Sequence, residues 1–383
     1  MKLVAIVFLF LFLFAGCVPN EITPTITLLN DKKVIAYVNK WEDNWGDDYQ
    51  KVKQITHINY AFADIKDGKV VELNDYDTET IKKINNLKKI NKNLKVLISV
   101  GGWTHSKNFS DAALTEESRE IFANSAIAYM QKHKIDGIDL DWEYPGLLGD
   151  NNVFRPEDKE NFTAILKLLR SKLDALASSQ KNYLLTIATG ASQNYLDHTN
   201  MSEAQKYLDF VNIMTYDFLG GGNKKTGHHA NLTTSESDDN ESVRSAIIAV
   251  DQHIKAGIPV DKIVLGVPFY GRWWSGVNAE HNGLGQDVNG LSNTYNYNEI
   301  VDSLNSNVGF IEYWDEPSKA PYIWRLKDSL FISYENEKSI KYKADYVIKK
   351  GLGGVMFWQF NGDSDGALLK AIYTNLNQNP SGL

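Results

Sequence analysis

Asp136-Gly-Ile-Asp-Leu-Asp-Trp-Glu-Tyr-Pro145 reads as a strand with one acidic and one apolar face. In extended backbone, successive side chains point to opposite sides, so Asp139, Asp141 and Glu143 share one face and Ile138, Leu140 and Trp142 the other. A solvated acidic stretch has no need of strict alternation with large apolar residues, whereas a strand buried on both sides must hold its charges for a reason. Neighbouring carboxylates on such a row lie roughly 6–7 Å apart. At that spacing in a shielded pocket they do not all ionise, so at least one pKa is expected to rise, and Glu143 is a candidate proton donor at neutral pH. A structural cluster of hydrogen-bonded acids, or a metal site, are the other readings of the row. The interval has no histidine and no second dense carboxylate cluster to complete a metal shell. No metal or cofactor is expected.

On both sides of this strand, short β-rich runs alternate with amphipathic helical stretches. The strands are expected at 34–38, 55–62, 95–100, 135–140, 183–188, 210–214, 263–267 and 354–358, and the clearest helices at 117–132, 156–177, 241–256 and 339–350. Eight parallel strands with helices between them predict an α/β fold closed as a (β/α)8 TIM barrel. The interval between Val267 and Gly354 is too long for a simple connection. From about 273 to 338 it is rich in Gly, Asn and aromatic residues, and it predicts a small α+β insertion after the seventh strand. The catalytic unit is therefore expected to run from 32 to 383 with that insertion inside it.

With 383 residues, 43% of them hydrophobic, the chain has ample material for a large core, and its net charge of -8 gives no footing for nucleic acid. A monomer is expected. The 9 Trp, 19 Tyr and 16 Phe suit sugar rings as well as packing. At the N-terminus, Lys2, an apolar run from Leu3 to Phe14, and Ala15-Gly16-Cys17 have the layout of a secretory signal, too short to span a bilayer comfortably. Cys17, the only cysteine, resembles the lipidated first residue of mature bacterial lipoproteins. Residues 1–16 are thus expected to be a signal peptide and 17–31 a lipidated cysteine with its tether. The protein would be exported and membrane-anchored through that lipid, facing the cell exterior or the periplasm, or otherwise freely secreted. A sole cysteine allows no disulfide within the chain.

The run from Asp136 to Pro145 also resembles the Asp-x-x-Asp-x-Asp-x-Glu signature of glycoside hydrolase family 18, the chitinases. The resemblance extends over residues 33–377, through Ser99-Val-Gly-Gly-Trp103, Met214-Thr-Tyr-Asp217, Gly266-Val-Pro-Phe-Tyr-Gly-Arg272 and Phe357-Trp358, each at the end of an expected strand. It implies hydrolysis of β-1,4 bonds in N-acetylglucosamine polymers or oligomers, with retention and with the substrate's own 2-acetamido group as nucleophile. By the same resemblance Glu143 is acid and then base, Asp141 steadies the acetamido group and its positive charge, Asp139 is its buried partner, and Tyr216 holds the acetamido oxygen. Asp217 would add a hydrogen bond near the reacting sugar. Trp358 matches an aromatic floor beneath the sugar. Tyr37, Phe62 and Ser99 match the base of the pocket, with Met214 beside Tyr216 in the same constellation, and Trp103, Tyr270 and Arg272 match cleft contacts.

One departure from the family stands in Phe218-Leu-Gly-Gly-Gly-Asn-Lys-Lys225, where many relatives carry a tryptophan that stacks the leaving-group sugar. His228 and His229 follow, and without nearby ligands they suit local hydrogen bonds better than zinc. Two other functions fit the same barrel: an endo-β-N-acetylglucosaminidase acting on N-glycans or peptidoglycan-like glycans, and a non-catalytic chitin-binding lectin. The lectin reading would ordinarily go with loss of the acid that Glu143 supplies.

Overall fold

The computed structural model describes residues 31–41, 50–178, 181–220, 222–234, 244–306 and 308–377. Residues 1–30, on which the signal-peptide and lipid-anchor expectations fall, lie outside them. Among the described residues no helix is long and apolar enough to cross a membrane.

Fourteen strands are described: β1 (Lys33–Val38), β2 (His57–Lys66), β3 (Lys69–Glu72), β4 (Lys95–Gly101), β5 (Gly137–Asp141), β6 (Leu184–Gly190), β7 (Phe210–Met214), β8 (Ile263–Pro268), β9 (Tyr270–Trp274), β10 (Ser292–Asn296), β11 (Ile311–Asp315), β12 (Ala320–Arg325), β13 (Leu330–Ser333) and β14 (Gly354–Trp358). Eight of them pair in parallel in the order β1-β14-β8-β7-β6-β5-β4-β2, and β1 also pairs with β2, so the sheet closes on itself. β3 hangs antiparallel from β2. This is a (β/α)8 barrel, with each barrel strand within a few residues of its expected place.

Alternation along the strands builds two cores. Every residue of β5 is buried. Its Ile138 and Leu140 join the large cluster between sheet and helices, with Trp142 just beyond stacked 5.1 Å from Phe109. The opposite faces of the strands fill the barrel with Ile35, Tyr37, Ala61, Phe210, Val264 and Met356. The outer helices read from their sequences in the same way. In the helix Asp158–Leu176 the buried positions include Phe162, Ile165, Leu166, Leu169 and Leu173, one face at i, i+3, i+4, i+7 and i+11. Each such side chain contributes about 1.5–3 kcal/mol when fully buried. The helix Glu116–His133 starts at a capping box of Thr115 and Ser118, and Glu337–Lys350 stops at Gly351 in the left-handed conformation.

The insertion between β8 and β14 is a five-stranded antiparallel sheet, ordered β10-β9-β13-β12-β11, with the helix Tyr297–Asn305. Its first strand starts at Tyr270, directly after the barrel strand β8, and so three residues before the expected 273. Its core is aromatic, built on Trp274, Tyr322, Trp324 and Phe331 with Val277.

Candidate active site

The acidic row of β5 opens into a cleft of about 880 Å³ at the C-terminal ends of the barrel strands, where loops of this fold converge. Tyr37, Phe62, Trp103, Asp141, Glu143, Met214, Tyr216, Asp217, Tyr270, Arg272 and Trp358 all line it. Eleven positions singled out from sequence are thus brought together from seven strands and their loops. Asp139 and Ser99 are not on its wall. Both are fully buried beneath it, and the Ser99 hydroxyl donates to Asp139 at 2.8 Å, a support for the acid at the base of the pocket.

Asp139 accepts from Tyr37 Oη (2.9 Å), Ser99 Oγ (2.8 Å), Thr186 Oγ1 (2.5 Å) and Asn212 Nδ2 (3.5 Å). Burial pushes its pKa up, and these donated bonds work against that rise. The set arises from register: Ser99, Asp139 and Thr186 are direct cross-strand partners on β4, β5 and β6. Asp141, one step nearer the cleft, has no such support. Its Oδ1 is buried and meets no hydrogen-bond partner among the described residues. Burial first, and then the charges of Glu143 and Asp139, drive its pKa well above the ordinary carboxylate range.

Glu143 lies two residues past the end of β5, and its carboxyl, pushed up by burial, has a pKa of about 7. A hydrogen bond with Tyr144 lowers it in part, and the Asp217 charge raises it. Asp217 itself sits in the left-handed region at φ 56°. Burial opposes its charge, but His229 and Arg272 outweigh burial and hold its carboxyl well below the usual range. Arg272 Nε donates to Asp217 Oδ1 at 2.6 Å, and His229 Nδ1 lies 3.4 Å from the same oxygen. Asp217 is therefore an anion clamped by the insertion's first strand. His228 turns the other way, its Nε2 3.1 Å from Asp315 Oδ2 on β11.

The aromatic residues form the floor and one rim. Trp358 lies nearly parallel to Phe62, centroids 5.4 Å apart at 18°, and is tilted against Tyr37 at 5.9 Å. Trp103, half exposed, meets Tyr144 edge-on at 6.3 Å. Gly101 and Gly102 bring the loop after β4 close to the row. A Cβ on Gly101 would lie 2.4 Å from the Asp141 carbonyl oxygen, and one on Gly102 2.5 Å from the Phe62 ring, with both residues at positive φ.

Thr186, Asn212, Tyr144 and His229 were not singled out from sequence as site residues. Thr186 and Asn212 carried a usable signal, since each is a polar residue within a mostly apolar strand. Tyr144 adjoins the acid in the signature. His229 suited a local hydrogen bond from sequence, and its ring meets Asp217 because the loop that carries it folds back against β13, where Ser333 Oγ accepts from its backbone N–H.

The family model described as glycosyl hydrolases family 18 matches residues 33–363. Chitinase A1 of Niallia circulans is 36% identical over 90% of this chain, which spans 58% of the length of that relative. Chitinase B of Serratia marcescens is 29% identical over 84% of this chain and 76% of that relative. Among solved structures, a family 18 N-acetylglucosaminidase from Paenibacillus barengoltzii superposes with a TM-score of 0.83 at 39% identity, over 90% of this chain and 100% of that one.

Proposed function

The chain belongs to glycosyl hydrolases family 18, and from that premise we propose that it is a chitinase, cleaving β-1,4-linked N-acetylglucosamine chains with retention through an oxazolinium ion. The observation that carries the reading is the pairing of a neutral acid with an unsatisfied acceptor. Glu143, with a pKa of about 7, holds a proton at the cleft, and beside it the buried Asp141 Oδ1 has no partner among the described residues, a place that an acetamido N–H would fill. Glu143 protonates the glycosidic oxygen, and the acetamido carbonyl attacks the anomeric carbon as the bond to the leaving sugar breaks. Asp141 takes the N–H and, with its proton drawn off toward the buried Asp139, balances the positive charge. Tyr216 holds the acetamido oxygen, the Trp358 face lies under the sugar, and Glu143, now ionised, draws the proton from an incoming water. A retaining glycosidase ordinarily needs a second carboxylate ~5–5.5 Å from the acid as nucleophile, and family 18 is a known exception to that rule.

The test is incubation with chitin oligosaccharides of defined length and, in parallel, with an N-glycoprotein, across the neutral pH range. Cleavage of the oligosaccharides is expected. Because the acid must carry its proton, turnover should fall as pH rises through about 7, the pKa of Glu143. Release of intact glycans from the glycoprotein in preference to oligosaccharide cleavage would favour the endo-β-N-acetylglucosaminidase reading. Binding without any cleavage would make the protein a lectin.

A further inference from the structure

Ser106 is fully buried in the loop after β4, behind the acidic row and off the cleft wall. Its hydroxyl accepts from the backbone N–H of Glu143 at 2.9 Å and faces the carbonyl oxygens of Asp141 at 3.0 Å and Gly102 at 2.9 Å as a donor. The Gly102 N–H donates to the same Asp141 carbonyl at 2.7 Å. β5 ends at Asp141, so the sheet ladder no longer fixes the backbone of Glu143. One hydroxyl takes over where the ladder stops. A buried amide must find an acceptor, and here the acceptor belongs to a different loop, itself pressed against the row at Gly101 and Gly102.

We propose that Ser106 is a positioning residue for proton transfer: by holding the Glu143 backbone N–H and the Asp141 carbonyl together, it sets the reach of the Glu143 carboxyl toward the glycosidic oxygen. This rests on the chitinase reading above. Ser106 touches no substrate, and its effect runs through Glu143. Displacement of a reacting group by about 1 Å can cost on the order of 10²-fold in rate, and among the described residues the Glu143 backbone N–H has no hydrogen-bond partner other than Ser106 Oγ.

Two substrates separate this role from general support of the fold. One is plain N-acetylchitooligosaccharide, whose leaving sugar needs a full proton. The other is the 2,4-dinitrophenyl β-glycoside of N-acetylchitobiose, whose leaving group departs with little help from an acid. Ser106→Ala is expected to lower kcat on the oligosaccharide about tenfold or more with KM within about twofold, the mark of an interaction lost in the transition state. On the dinitrophenyl glycoside the loss should shrink to less than about threefold, following Glu143→Gln in direction. Ser106→Cys keeps a weaker donor and acceptor at the same position, and its ratio between the two substrates gives the same reading should the alanine variant not fold. An equal loss on both substrates, or an oligosaccharide kcat within twofold of wild type, overturns the assignment. Wild-type protein that cleaves neither substrate would instead refute the functional reading beneath it.

Discussion

Glu143→Gln is expected to bind sugar and keep its fold while losing about 10²–10⁴-fold in turnover, the usual worth of general acid catalysis. The amide keeps the shape of the side chain in a site that leaves it only 8% exposed, and the Tyr144 hydroxyl still finds a partner there. What it cannot do is give up a proton. The linkage runs in a direction that makes folding an internal control. A buried acid whose pKa is raised from 4.5 to about 7 binds its proton more tightly folded than unfolded, so it withdraws stability as pH rises through that window. The glutamine variant escapes this and should be at least as stable as wild type at pH 8, by an amount on the order of 1–3 kcal/mol or less. Steady-state kinetics on purified protein with chitin oligosaccharides, beside thermal melts at pH 5 and pH 8, measure both effects. More than about a tenth of wild-type activity would remove Glu143 from the acid role.

Asp141→Asn carries the second large effect, an expected loss of about 10²–10³-fold in kcat, the range seen when one preorganised electrostatic partner of a transition state is removed. Asp141 is buried between Asp139 and Glu143, and its Oδ1 has no hydrogen-bond partner among the described residues. Asparagine fills the same volume, but it cannot take a negative charge opposite a forming oxazolinium ion. The loss should therefore appear in kcat more than in KM. Thiazoline mimics of the oxazolinium ion should inhibit wild type and bind the variant more weakly, since they resemble the charged intermediate more than the substrate does. A variant that loses turnover but keeps wild-type affinity for the thiazoline would detach Asp141 from that charge.

Much of this site was legible because it lies along short runs of sequence. The alternation of β5 places Asp139 and Asp141 on the inner face and Ile138 and Leu140 on the outer, as the period of a strand requires. Glu143 was legible as an acid, although it stands beyond the strand in a loop, because alternation carries on past Asp141. What sequence could not give was the partner of each group. The clamp on Asp217 joins a loop after β7 to Arg272 on β9 and to His229, contacts made across 55 and 12 residues of chain. Ser99 matched the base of the pocket, and only the cross-strand register shows its hydroxyl turned onto Asp139. The insertion was visible as a long interval without helical period. Its five strands were not, because the aromatic residues that pack it, such as Trp274 and Trp324, fit a cleft wall or a core equally well in sequence.

The central claim is that the substrate's acetamido group does the work of the nucleophile, and the anomer formed at the moment of cleavage tests it most directly. Proton NMR of a chitin oligosaccharide digest, followed from the first minutes before mutarotation, should show the β-anomer of the new reducing end appearing first. Ring closure by the acetamido oxygen and its opening by water each invert the anomeric carbon, and two inversions restore the β configuration. The α-anomer appearing first would mean a single displacement by water and would contradict the account.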